Sequence, residues 1–139
     1  MTAAVAGGCL CGGVRFTLEG DLRGVVVCHC SLCRRWGTYA GAYTRVARAG
    51  LRLVAAETLT LYVDANGRER SFCRACGTSL FWAVPGEDGV SVSAGALDGG
   101  DHLRLARHIH VAGAAAWEPP PTGGPRHPRG SDSPPVSSE

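Results

Sequence analysis

The sequence predicts a mainly β fold, and three observations carry that prediction. Apolar and polar residues alternate over several short stretches, glycines punctuate those stretches, and one segment alone reads as helix. Gly12 and Gly13 precede Val14-Arg15-Phe16-Thr17-Leu18, an alternating strand. Gly24 leads into Val25, Val26 and Val27, a short buried strand that runs into Cys28. The helix candidate covers residues 31–36, a turn or two, with Ser31 as its N-cap. Leu59, Leu61 and Val63 alternate with Thr60, Tyr62 and Asp64, and the hairpin signal Asn66-Gly67 follows. A strict two-residue turn would set Asp64 against Glu69, two like charges, so a longer loop is equally open. Residues 79–84, 90–93 and 107–111 read as the remaining strands. On the last of these, His108 and His110 would share one face.

Composition bounds the rest. The chain has 139 residues, 45% of them hydrophobic and 19% charged, which fits one domain with a modest core. Residues 118–139 hold seven of the eight prolines and one aliphatic residue, Val136. Such a segment buries too little to offset its ordering entropy. The expected organisation is a working domain over 7–117 followed by a Pro-rich tail over 118–139, most of it disordered, with its first few residues free to lie against the domain. No run approaches the ~18 apolar residues of a membrane span, and residues 1–8 lack the charged and apolar regions of a secretory signal. All 14 basic residues are arginine, which excludes chemistry on a lysine. A net charge of +2, scattered arginines and 6% aromatics argue against a nucleic-acid partner.

Seven cysteines is the outlying number. An odd count without a leader reads as cytoplasmic thiols serving as metal ligands or catalytic groups, not as a disulfide framework. They cluster as Cys9-x-Cys11, as Cys28-His29-Cys30-x-x-Cys33, and as Cys73-x-x-Cys76 followed by Gly77. A knuckle of either spacing offers two thiolates on a tight turn, and two distant knuckles close a four-cysteine zinc site. A thioredoxin-like redox pair is disfavoured because no βαβ pattern surrounds the C-x-x-C. Seven thiols divide as four plus three. Four ligands saturate zinc, whereas three leave the open position of a catalytic site, and the triplet lies within six consecutive residues. His29 is either a fourth ligand or a histidine packed beside the site. In an extended segment its side chain faces away from those of Cys28 and Cys30.

Residues 8–16, 28–34 and 72–78, with Gly95-Ala96-Leu97-Asp98 and His108-Ile109-His110-Val111, together resemble the glutathione-dependent formaldehyde-activating enzyme family, which includes centromere protein V. The resemblance implies a β-tent of small antiparallel sheets around a structural zinc. It implies that Cys9, Cys11, Cys73 and Cys76 hold that zinc. It further implies that Cys28, Cys30 and Cys33 hold a second zinc, whose fourth position takes a substrate thiol. Two departures stand out. His110 occupies a position that is often aromatic in relatives, and Glu118-Pro119-Pro120-Pro121 replaces a run of apolar and acidic residues.

The expected chemistry follows. A thiol is mostly protonated at neutral pH, and coordination to zinc deprotonates it. A glutathione thiolate can then add to formaldehyde, and the reverse reaction makes the protein a carbon–sulfur lyase. Zinc with three thiolates carries −1, so Arg34 and Arg35 are the candidates to offset this charge and to grip the carboxylates of glutathione. Trp36 reads as core or pocket wall, and Asp98 as a loop cap. Two other readings stay open: a zinc module that carries a thiol or docks a protein partner without turnover, and a thiol redox sensor.

Overall fold

The alternating stretch of the sequence is a strand in the structure, a computed structural model that describes residues 4–100 and 102–136. The chain divides into two units, Met1–Arg23 with Thr44–Leu103 and Gly24–Tyr43 with Arg104–Glu139. The architecture is mainly β, with small sheets and one α-helix among the described residues.

In the first unit, Val5–Gly8 (β1) pairs antiparallel with Val14–Leu18 (β2). The third strand of this sheet, Leu51–Ala56 (β5), pairs with the other edge of β2 through a bulge between Arg15 and Phe16. Along β2, Val14, Phe16 and Leu18 are buried while Arg15 and Thr17 are half-buried, as the alternation predicts. A second ladder contains Leu59–Val63 (β6), Glu69–Cys73 (β7), Ser79–Ala83 (β8) and Gly89–Ser93 (β9), each antiparallel to the next. The core joins Phe16 and Leu18 to Leu80, Phe81, Val90 and Val92. The Phe16 and Phe81 rings meet edge-on, their centroids 5.1 Å apart. Burying side chains of this size contributes about 2 kcal/mol each. Cys9 and Cys73 belong to the same cluster.

Two features of this unit go beyond what the sequence settles. β6 lies at the edge of its ladder, so Leu61, Tyr62 and Val63 are all exposed in spite of their alternation with polar residues. The hairpin that follows is the longer one. Val63, not Asp64, faces Glu69, and Gly67 takes φ +78° in the turn. Asp64 instead organises the loop. Its Oδ1 accepts from the amides of Asn66 (2.9 Å) and Arg68 (3.1 Å), and its Oδ2 accepts from Arg70 Nε at 2.8 Å, both side chains being buried.

In the second unit, Val25–Cys28 (β3) pairs antiparallel with the first residues of Gly41–Ala47 (β4). It pairs parallel with Leu105–Ile109 (β10). This pair is parallel where the other pairs described above are antiparallel. Some 76 residues separate the end of β3 from the start of β10, room enough for the long crossover that a parallel pair needs. Ser31–Gly37 (α1) follows β3. Its N-cap is Cys30, whose Sγ accepts from the amide of Cys33 at 3.3 Å, so Ser31 is the first helical residue and not the cap.

The expectation of a disordered tail also needs correction over its described part, 118–136; residues 137–139 lie outside the described residues. The amides of His108, His110 and Val111 donate to the carbonyls of Pro125, Arg129 and His127, and His127 N donates back to His108 O at 2.8 Å. His127 is buried. Composition measures the apolar surface a segment can bury, but this segment is held by backbone hydrogen bonds to a strand edge, which any side chain permits.

Two outcomes are expected. Asp64→Ala leaves Arg70 buried without its carboxylate and costs about 3 kcal/mol, read by denaturant unfolding. Burial pushes the Asp64 carboxyl up, but Arg70 and the amides of Arg68 and Asn66 outweigh it and hold it below the usual carboxylate range. Its stabilisation is therefore complete above the ordinary value of about 3.9 and is lost as pH falls through the lower folded value. The wild type will lose stability across that acid window, and the variant will lose less. Ending the chain after Pro121 will lower the melting temperature by several degrees, measured by circular dichroism.

Candidate metal centres

The first centre grows from two tight turns in the first unit. Cys9 follows β1, and its carbonyl accepts from Gly12 N at 3.2 Å. Cys73 ends β7, and its carbonyl accepts from Gly77 N at 2.7 Å. Gly12 and Gly77 take φ +84° and +82°, a region that costs other residues strain, so glycine is what lets each turn close over its sulfurs. The four sulfurs of Cys9, Cys11, Cys73 and Cys76 lie within 4.8 Å of one another. The Cys9–Cys11 and Cys11–Cys73 separations are both 3.7 Å. A tetrahedron with ~2.3 Å arms has edges of about 3.8 Å, so the cluster fits a metal such as zinc.

Two threonines outside the cysteine spacing itself complete this centre. Thr78 Oγ1 accepts from Leu10 N at 3.0 Å and lies 3.2 Å from Cys76 Sγ, which ties one turn to the other. Thr58 Oγ1 lies 3.1 Å from Cys73 Sγ. The Thr78 hydroxyl and amide hold Cys76 down to about 5, and Thr58 lowers Cys73. Cys11 moves the other way. The Gly13 amide lowers it, but its sulfur neighbours and desolvation together push it up to about 11. Thr78 lies two residues after Cys76 and was within reach of sequence reasoning. Thr58 is 15 residues from Cys73 and carries no local signal.

The second centre sits in the second unit where β3 gives way to α1. Cys28 is the last residue of β3, Cys30 caps the helix, and Cys33 lies in its first turn. These three sulfurs also lie within 4.8 Å of one another. Contacts with Cys30 and Cys33, together with burial, push Cys28 up, while Cys28 and Cys33 hold Cys30 well below the ordinary thiol range. Of these two thiols, Cys30 is the one that gives up its proton more readily. No fourth His, Cys, Asp or Glu joins the group among the described residues.

His29 does not join it. The ring is 1% exposed, with Nε2 2.9 Å from His108 Nδ1 and Nδ1 2.7 Å from Glu118 Oε2. Burial lowers its pKa against the opposing pull of Glu118. Tyr39 packs edge-on to His29 and also contacts Trp117, with ring centroids 5.5 Å apart in the second pair. Arg34 and Arg35 follow Cys33 on α1, where their charge suits the C-terminal end of the helix. Arg34 Nε is buried with no hydrogen-bond partner among the described residues, and Arg35 is exposed. Trp36 is half-buried. His110 does not share a face with His108, because β10 ends at Ile109 and His110 takes φ +55°. Asp98 forms an ion pair with Arg15 instead of capping its own loop.

Comparison with known proteins bears on the family of the chain. The model of the family described as glutathione-dependent formaldehyde-activating enzyme matches residues 4–113. A crystal structure of a Rhodobacter sphaeroides protein, a Northeast Structural Genomics target, is similar at 31% identity with a TM-score of 0.57, over 69% of this chain and 90% of that one. A search of curated proteins found no match. The chain belongs to the glutathione-dependent formaldehyde-activating enzyme family.

Cys76→Ser removes one of four converging ligands. If the cluster carries a structural metal, most of its binding free energy, about 10 kcal/mol or more, is folding free energy. The variant will then melt more than about 10 °C lower, and a chelator will bring the wild type towards the same value.

Proposed function

We propose that the chain is a carbon–sulfur lyase that binds glutathione or a similar thiol at the Cys28–Cys30–Cys33 centre. There it forms or cleaves the thiol's adduct with formaldehyde or a related carbonyl. The observation that carries this reading is a three-thiol cluster with no fourth protein ligand among the described residues. Zinc held by those three thiolates has one position left for an external thiol and holds that thiol as its thiolate at neutral pH. The four-thiol cluster is then the structural zinc site. The free thiols suit a reducing, cytoplasmic compartment. No helix among the described residues is long and apolar enough to cross a membrane.

In the forward direction a bond forms between the thiol sulfur and the carbonyl carbon. The π pair of the carbonyl moves to its oxygen, which takes the proton the thiol has given up. The reverse direction breaks the carbon–sulfur bond. Neither direction needs an oxidant or a reductant.

The chain's own residues supply binding and charge. Arg34 stands one residue beyond Cys33, and its buried, unpartnered Nε supports a role in holding a substrate carboxylate. A guanidinium grips such a group through paired hydrogen bonds. Its cationic charge, with that of Arg35, offsets the three thiolates. Arg35 is the more exposed of the two, so salt screens it more strongly.

The test uses full-length protein, glutathione and formaldehyde, and follows exchange between free glutathione and its hydroxymethyl adduct by NMR. The wild type should accelerate this exchange. Cys30→Ala should abolish both the acceleration and glutathione binding, with a melting temperature within a few degrees of wild type. Binding without acceleration would favour a thiol carrier, and an unfolded Cys30→Ala would make the triplet structural. Arg34→Ala should weaken glutathione binding about tenfold, as loss of a charge-assisted hydrogen bond predicts, and Arg35→Ala less.

A further inference from the structure

The Pro-rich segment reaches the triplet through a row of buried polar groups. Glu118 Oε2 lies 2.7 Å from His29 Nδ1, His29 Nε2 lies 2.9 Å from His108 Nδ1, and His108 Nε2 lies 2.8 Å from the Thr122 carbonyl oxygen. The His29 ring and the Glu118 side chain are 1% and 0% exposed. A carbonyl oxygen only accepts, so His108 Nε2 donates to Thr122. His29 Nε2 and His108 Nδ1 then share one proton, and the 2.7 Å approach of His29 Nδ1 to Glu118 Oε2 needs a further proton between those two atoms, since two bare acceptors would repel. Both ends of the row belong to residues 118–122. The intervening Pro119, Pro120 and Pro121 have fixed φ, which limits how far the two ends can move relative to each other.

His29 lies between two sulfur donors. Cys30 is extended, with φ −66° and ψ 162°. In extended chain alternate side chains face opposite ways, so the hold on His29 also sets the direction of Cys28 and Cys30. The backbone of the same loop is constrained as well. His29 N donates to Ile109 O at 3.0 Å. Gly113 lies so close that a Cβ there would stand 3.3 Å from both Cys30 Cα and His29 O.

We propose that Glu118 is a positioning residue for the cysteine triplet, acting through the buried His29–His108 pair. This rests on the reading of the triplet as a metal centre. What Glu118 supplies is reach: a polar atom held at His29 Nδ1. Glutamine keeps that reach, and its amide N–H can donate to His29 Nδ1. Aspartate keeps the charge but falls one methylene short.

The test loads full-length wild type, Glu118→Gln, Glu118→Asp and Cys30→Ala with Co²⁺. It records the thiolate-to-cobalt absorption and competes the metal with a chelator. The difference between wild type and Cys30→Ala isolates the triplet, and the bands left in Cys30→Ala serve as the four-thiol control. Glu118→Asp should alter the triplet bands and weaken metal binding there about tenfold or more, the scale seen when a group behind a ligand is removed. Glu118→Gln should keep the bands and stay within about twofold of wild-type affinity, and both variants should keep the four-thiol bands. The proposal is overturned if Asp behaves as wild type, or if Gln loses as much as Asp. A wild type that binds no more cobalt than Cys30→Ala would overturn the metal reading itself, and the proposal with it.

Discussion

Sulfur atoms held within a few ångströms of one another cannot all be anions unless a cation lies among them. This constraint acts on all seven cysteines of the chain. In the first unit the Cys11 sulfur stands 3.7 Å from those of Cys9 and Cys73, close to a tetrahedral edge. Their protons are then unevenly shared, with Cys11 pushed up to about 11 and Cys76 down to about 5. A divalent cation removes the conflict by replacing the protons. Because Cys9 and Cys73 are packed with Phe16, Leu80 and Val92, the same groups close the metal site and part of the apolar core. Loss of the cation would therefore be felt in the packing of β2 and β8.

The second unit solves the same problem with less apolar support. Its three sulfurs sit where a strand passes directly into a helix, and the helix supplies its own cap through Cys30. The conformation of this loop is set by polar groups: an amide bonded to Ile109, an imidazole pair and a buried carboxylate. Polar contacts of this kind are directional, so they specify where a side chain points more narrowly than apolar packing does. A cluster of three thiols has more need of that control, because no fourth His, Cys, Asp or Glu among the described residues joins it.

The number of ligands separates the two centres. Four thiols saturate a tetrahedral ion and leave no room for chemistry, whereas three admit one ligand from outside. The flanking residues follow the same division. Thr58 and Thr78 hydrogen-bond to sulfurs of the closed centre. Beside the three-thiol centre, Arg34 carries a buried Nε with no hydrogen-bond partner among the described residues.

The sequence by itself determined what depends on local spacing. The knuckles at Cys9 and Cys73, the triplet and the alternating strand Val14–Leu18 are each written within a few neighbouring residues, and the four-plus-three division came from counting thiols, since its two knuckles lie 62 residues apart. Backbone geometry then decides which side chains can meet. The strands Val5–Gly8, Gly41–Ala47, Leu51–Ala56 and Glu69–Cys73 were not legible, since a short strand is stabilised by its partner more than by its own residues. The same holds for the exposure of β6, which comes from its place at an edge. Only the tertiary structure decided the parallel pairing of β3 with β10, the approach of Thr58 to Cys73, and the fate of the Pro-rich segment. Its composition argued for disorder because it offers almost no apolar side chains. Yet the carbonyls of Pro125 and Pro128 accept hydrogen bonds from His108 and Ala112, and Glu118 is buried against His29. Backbone acceptors are common to every sequence and leave no trace in composition, so their use can be read only once the edge of β10 is in place.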